Sequence, residues 1–129
     1  MRKYLAFVLA AAVYFVSLAA MARTAAEGYC FDLRNLSSGM VETRDINKCL
    51  DVVRQKQFDL KALTVCKEMK SITSDLITAA DIIKCFDEIA GKTYDQSNLI
   101  GCEDLKHETT AEVSSGDVIS CIRKCQILN

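Results

Sequence analysis

The segment that decides the fold is residues 66–101, CKEMKSITSDLITAADIIKCFDEIAGKTYDQSNLIG, in which two cysteines stand 19 residues apart. The spacing recurs on both sides of this segment, so that six of the seven cysteines alternate at intervals of 19, 17, 19, 17 and 19 residues. These six are Cys30, Cys49, Cys66, Cys85, Cys102 and Cys121. A fixed period of this length indicates a repeated supersecondary unit. We therefore divide the chain into 36-residue repeats at 30–65, 66–101 and 102–129, of which the last is shortened.

Other residue types recur at the same offsets within the repeats. Each copy has an acidic residue two positions after its first cysteine, an aspartate four positions before its second cysteine, and an aliphatic residue directly after that aspartate. Agreement at this many offsets favours repetition of one unit over compositional bias. The acidic residues are Asp32, Glu68 and Asp104, the aspartates are Asp45, Asp81 and Asp117, and the aliphatic residues are Ile46, Ile82 and Val118.

The second half of each repeat predicts an amphipathic helix. Apolar residues there follow the i, i+3, i+4, i+7 pattern that places side chains on one face of a helix. Thr78 and Ser114 each stand three residues before an aspartate, which is the pattern of a capping box at a helix start. The apolar residues of the middle copy are Ile82, Cys85, Phe86 and Ile89.

The first half of each repeat carries a weaker helical pattern. Asp59 and Asp95, each seven residues before the first cysteine of a repeat, are the predicted N-caps of the helices that contain Cys66 and Cys102. Because the chain has no proline and little of the alternation typical of strands, we predict an all-α protein. We expect about six short helices that form three disulfide-stapled αα-hairpin repeats.

The N-terminal 22 residues predict a secretory signal peptide. A basic start is followed by an apolar run over residues 4–20 and by the small-residue triplet Ala20-Met21-Ala22, which together are typical of a cleaved leader. A second cleavage position lies after Ala26. Removing 22 of the 129 residues leaves 107, residues 23–129, which is the size of one domain. The product is expected to be secreted, extracellular and without membrane attachment.

Cysteines in an oxidising compartment predict a disulfide framework. Pairing within the repeats joins Cys30 to Cys49, Cys66 to Cys85 and Cys102 to Cys121. In antiparallel helices, the two cysteines of each of these pairs lie at the same height along the helix axes, and so do those of the alternative pairs between repeats. Geometry alone therefore does not choose between the two pairings. Pairing within the repeats leaves only Cys125 over, whereas pairing between repeats leaves Cys30 without a near partner. We therefore favour pairing within the repeats.

The seventh cysteine, Cys125, has two interpretations. It stands at the offset that Val53 and Ile89 occupy in the other repeats, which indicates a buried thiol acting as a small apolar side chain. An odd cysteine in a secreted chain equally indicates an intermolecular bridge, here a covalent homodimer through Cys125. A zinc site made of Cys121, Cys125 and His107 would have only three ligands, so we predict neither a metal nor another cofactor.

Charge and composition exclude several functions. The leader contains two of the 16 basic residues, so the mature chain has 14 basic and 17 acidic residues and a net charge of −3. This charge disfavours binding to nucleic acid. No combination of nucleophile, base and orienting group is recognisable, so we predict that the protein is not an enzyme. The triplet Asn35-Leu36-Ser37 is a glycosylation sequon, which makes Asn35 a candidate glycan site.

Two function classes remain. The first is a secreted interaction protein, of the effector, venom, salivary or antigen type, that binds an extracellular protein target through a rigid helical surface. The second is an extracellular carrier of a small hydrophobic ligand, held where Leu33, Ile46 and Phe86 converge. We favour the interaction protein because the apolar stripes are only wide enough to close a core.

Overall fold

A computed structural model describes residues 25–127, and the predicted signal peptide at 1–22 lies outside the described residues. The described chain is all-helical and contains no strand, which confirms the predicted fold class. One isolated antiparallel bridge joins Tyr94 to Gln126. The helices are α1 (residues 25–31 of the described part), α2 (Leu33–Leu36), α3 (Thr43–Val53), α4 (Leu60–Lys67), α5 (Met69–Ile72), α6 (Ala79–Ile89), α7 (Gln96–Glu103), α8 (Leu105–Glu108) and α9 (Ser115–Lys124).

The prediction of about six helices is wrong, because the described part has nine helical segments. The helical segments that contain Cys30, Cys66 and Cys102 are each divided at the acidic residue two positions later, Asp32, Glu68 or Asp104, where ψ is 11°, 10° and 11°. These residues lie in the sparsely populated region between the α and β conformations, so the helix is interrupted there. The apolar pattern of the sequence could not predict this break. A single residue with non-helical backbone angles leaves the sequence spacing of Cys66 and Met69 unchanged.

The helix starts follow from side-chain caps. Thr78 Oγ1 accepts a hydrogen bond from the Asp81 amide at 3.2 Å, and Asp81 Oδ2 accepts from the Thr78 amide at 2.9 Å. Ser114 and Asp117 form the same two bonds at 3.2 and 2.9 Å. These reciprocal bonds satisfy amides that have no partner inside the helix. The predicted caps Asp59 and Asp95 also accept hydrogen bonds at the starts of α4 and α7.

Helix α6 lies at the centre of the molecule and contacts α2, α3, α4 and α9. Its side chains Ile82, Phe86 and Ile89 are fully buried. The helix ends before Gly91, whose φ of 73° lies in the left-handed region that glycine adopts without strain. The core is therefore built around one amphipathic helix and the elements that cover its apolar face.

Three disulfides join the helices. Cys30–Cys49 joins α1 to α3, Cys66–Cys85 joins α4 to α6, and Cys102–Cys121 joins α7 to α9. Their Cα atoms are 5.4, 5.6 and 5.8 Å apart, within the usual range for this bond. These are the pairs within the repeats, which the sequence analysis favours because they leave only Cys125 over.

Candidate functional site

Three loops, which precede the helices α3, α6 and α9, lie side by side. We call the segments 37–42, 73–78 and 109–114 the loop edge. The Ser38 amide donates to the Ile77 carbonyl at 2.6 Å, and the Ser74 amide donates to the Val113 carbonyl at 2.9 Å. Because each bond joins one loop to the next, the loop edge is tied together by its backbone and by the buried side chains next to it.

The loop edge exposes two large apolar side chains. Met40 is 90% exposed and Leu76 is 82% exposed, and they stand at the same offset of neighbouring repeats. The residue after each of them, Val41 or Ile77, is buried in the core. Each loop therefore anchors one apolar side chain and presents the preceding one to solvent. Isolated exposed apolar residues are common, but two in matching positions on tethered loops define a candidate contact surface.

A groove of about 410 Å³ lies between α8 and α9. Leu105, Val113 and Cys121 contribute apolar surface to it, and Asp117 and Lys124 contribute charge. The groove is partly open to solvent. Its volume is within the range of small-molecule sites.

The residues expected to hold a hydrophobic ligand do not form that groove. Leu33 and Phe86 are fully buried in the core, and Ile46 is partly buried against it. They pack with other side chains and line none of the grooves between α8 and α9, beside α2, or beside Gly91. The hydrophobic-ligand site expected at these three residues therefore stays a prediction.

Asn35 lies on the surface of α2. Its side-chain amide donates to the Asp32 carboxylate, and the residue is exposed. The sequon serine, Ser37, is buried and donates its hydroxyl to the Leu33 carbonyl at 2.8 Å. A glycan on Asn35 would project away from the core.

Cys125 lies next to the last disulfide. Its thiol is unbonded, 6% exposed and 4.0 Å from Cys102 Sγ. The Sγ atom also donates to the Cys121 carbonyl at 3.2 Å. Burial raises the pKa of the Cys125 thiol, and the negative charge of Asp95 adds to this effect. The thiol is therefore largely protonated at neutral pH.

Tyr94 brings an unpaired polar atom into the core. The side chain is 3% exposed, and its hydroxyl has no hydrogen-bond partner in the described structure. Burial raises the pKa of Tyr94 to about 12, with further contributions from the negative charges of Glu88 and Asp59. Arg123 Nε donates to Glu88 Oε1 at 2.8 Å and lowers the pKa of that carboxyl.

The last residue considered as a metal ligand, His107, lies apart from these features. His107 is exposed on α8. Among residues 25–127, no cluster of three or more histidine, cysteine, aspartate or glutamate side chains is arranged to hold a metal ion. Within the same range, every helix is too short or too polar to cross a lipid bilayer.

No family model, curated protein or solved structure matches this chain. The candidate site is therefore argued from the chain's own geometry. Sequence reasoning missed the exposed pair Met40 and Leu76, although their separation of one repeat length was a signal for it. It also missed the contact between Cys125 and Cys102, for which helical spacing alone offers no indication.

Proposed function

We propose that this chain is a secreted, non-enzymatic protein that binds an extracellular protein target through a rigid, disulfide-stapled helical surface. The observation that carries the proposal is the exposure of Met40 and Leu76 on the tethered loop edge. Burial of apolar side chains gains hydrophobic free energy, and the loss of conformational entropy is smaller where the loop backbone that carries them is already held in place. The loop edge is therefore suited to contact a complementary protein surface.

The proposed architecture is three stacked αα-hairpin repeats of 36 residues. Helices α3 and α6 begin and end 36 positions apart, as do α4 and α7. Bonds between repeats support the same period: Gly91 donates its amide to the Gln57 carbonyl at 2.8 Å, and Ile127 donates to the Thr93 carbonyl at 2.9 Å. Stacked repeats produce an extended surface on which equivalent residues line up, as Met40 and Leu76 do.

Secretion is the second part of the proposal. The apolar N-terminal run and the small residues before Arg23 support cleavage of a leader. Three disulfides are compatible with an extracellular protein. Exposure of Asn35 on α2 is compatible with a glycan there, for which we expect a mass increase that glycosidase treatment removes.

The contact surface is tested with a double variant, Met40→Ser/Leu76→Ser. Wild-type protein would be incubated with the fluid into which it is secreted, cross-linked, and its partners identified by mass spectrometry. We expect the double variant to lose a partner that wild type retains. The matched control is Leu60→Ser/Ile100→Ser, which removes two apolar side chains exposed outside the loop edge. Equal capture by all three proteins would contradict the proposal.

A carrier function is the second candidate, and the 410 Å³ groove between α8 and α9 is the observation that favours it. Native mass spectrometry of the secreted protein distinguishes the two functions. A co-purifying apolar molecule that is lost in Ser120→Phe, which would fill the groove, would favour the carrier. A ligand-free mass together with a partner that depends on Met40 and Leu76 would favour the interaction protein.

A further inference from the structure

Three sulfur atoms meet where α7 packs against α9. Cys102 of α7 is bonded to Cys121 of α9, and Cys125, at the end of α9, places its Sγ 4.0 Å from Cys102 Sγ. Residues four positions apart lie on the same face of a helix, so Cys121 and Cys125 both face Cys102. The other repeats have no third cysteine, because Ile89 and Val53 stand at the offset of Cys125.

We propose that Cys102, Cys121 and Cys125 form a thiol–disulfide exchange site that holds either of two disulfides and delivers the Cys121 thiol to the groove between α8 and α9. In the exchange, the Cys125 thiol loses its proton and the thiolate attacks Cys102 Sγ. The bond from Cys102 to Cys121 breaks, and Cys121 leaves as a thiolate that takes up a proton. One disulfide and one thiol are present before and after, so no oxidant or reductant is consumed.

The two sulfurs are close enough for this step. Forming a disulfide from a separation of 4.0 Å requires the Cys125 and Cys102 sulfurs to approach by about 2 Å. Cys125 follows the last helical residue of α9, where its carbonyl accepts a hydrogen bond from the Asp95 amide at 2.8 Å. The backbone at Cys125 is thus held, and rotation of its side chain supplies the movement. Its raised pKa makes the exchange slow at neutral pH, because only the thiolate attacks.

The exchange changes which thiol meets solvent. Cys125 is buried, whereas Cys121 is partly exposed and contributes to the wall of the 410 Å³ groove. Lys124 lines the same groove. The Cys121 thiol can then lose its proton and attack a small disulfide, forming a mixed disulfide and releasing the other half of that molecule, which takes up a proton to become a thiol. The site would therefore capture disulfides covalently, which neither proposed function requires.

The first experiment tests the alternative pairing. The full chain would be expressed in a secretory host as Cys121→Ser, and its thiols and disulfide-linked peptides mapped without reduction. We expect three disulfides, including Cys102–Cys125, and no free thiol. The matched control Cys85→Ser removes the equivalent cysteine from a repeat without a third cysteine, and we expect it to keep free thiols at Cys66 and Cys125. Free thiols at both Cys102 and Cys125 in Cys121→Ser would overturn the proposal.

The second experiment tests delivery of the thiol in the unchanged protein. The native chain would be incubated with dithiodipyridine, a small aromatic disulfide, then quenched at acidic pH and mapped by mass spectrometry. We expect the label on Cys121 together with a Cys102–Cys125 bond, and we expect Cys125→Ser to abolish labelling of Cys121. Labelling of Cys125 beside an intact Cys102–Cys121 bond, or no labelling of the folded protein, would contradict delivery.

Discussion

At the scale of single residues, Tyr94 makes two opposing contributions to the stability of the fold. Its ring is buried beside the last turn of the chain, which contributes hydrophobic free energy. Its hydroxyl is buried as well, without a hydrogen-bond partner in the described structure. An unsatisfied buried polar group costs about 1–3 kcal/mol. Phe58 stands at the same offset of the preceding repeat and carries no hydroxyl, so the two sites form a natural comparison.

We expect Tyr94→Phe to raise the free energy of unfolding by about 1 kcal/mol, because it removes the unpaired hydroxyl and keeps the ring. Urea unfolding followed by circular dichroism measures the change. The reverse substitution, Phe58→Tyr, is the control and is expected to lower stability by a similar amount. A clear loss of stability in Tyr94→Phe would mean that the hydroxyl is hydrogen-bonded in solution.

The raised pKa of Tyr94 predicts an alkaline loss of stability. An unfolded tyrosine ionises near pH 10, whereas Tyr94 in the folded protein keeps its proton up to about pH 12. Between these values the folded state binds more protons than the unfolded state, so stability falls as pH rises. We expect the protein with Tyr94 to lose roughly 1 kcal/mol more stability than its Tyr94→Phe variant between about pH 9 and 11. Both proteins would carry Cys125→Ser to prevent disulfide exchange, and parallel pH profiles would contradict the assignment.

At the scale of elements, the helix starts carry much of the local specificity. In α6 and α9 a hydroxyl and an aspartate exchange hydrogen bonds with the two amides at the helix start. In α3 the Glu42 amide donates to Asp45 Oδ2 at 2.9 Å, so the aspartate is common to all three. These bonds determine where each helix begins, and therefore which residues of the preceding loop remain exposed.

We expect Thr78→Ala to lower the free energy of unfolding by about 1 kcal/mol, because the Asp81 amide loses its acceptor at the start of α6. Thr78→Ser keeps the hydroxyl and is expected to retain most of the stability. The control is Thr110→Ala, an exposed threonine in the loop before α9, for which we expect a change near zero. Chemical unfolding of the three variants makes the comparison, and equal losses in Thr78→Ala and Thr110→Ala would exclude a capping role.

At the scale of the whole molecule, the three disulfides add to the stability that the small hydrophobic core provides. Each disulfide closes a loop with a sequence separation of 19 residues, for which chain entropy predicts about 3 kcal/mol of stabilisation. A domain of this size is stable by only about 5–15 kcal/mol in total. Three such bonds are therefore comparable with the entire stability of the fold.

We expect reduction of all three disulfides to unfold the protein at ambient temperature. Far-ultraviolet circular dichroism and the thermal midpoint would be measured with and without a phosphine reductant. The control is Cys125→Ser, which retains the three disulfides and should remain folded in the absence of reductant. If helicity and the midpoint survived reduction almost unchanged, the core alone would hold the fold.

The sequence by itself determined the features that depend on short-range chemistry. The apolar stripe of α6 and the hydroxyl–aspartate pair at its start follow from the geometry of a single helix, and the regular spacing of the cysteines is visible in the sequence. The all-α class could be inferred from these features, and the favoured cysteine pairs from the observation that pairing within the repeats leaves only Cys125 over. Function could be narrowed only by exclusion, because the candidate contact residues are ordinary apolar side chains.

Only the tertiary structure decided which distant groups meet and which residues reach solvent. The interruption at Glu68, the position of Cys125 against Cys102 and the unpaired Tyr94 hydroxyl all depend on how the helices pack. The same holds for Met40 and Leu76, whose exposure depends on neighbouring loops that bond to each other rather than fold over them. Local periodicity describes one face of one helix, whereas these properties arise from contacts between residues far apart in the chain.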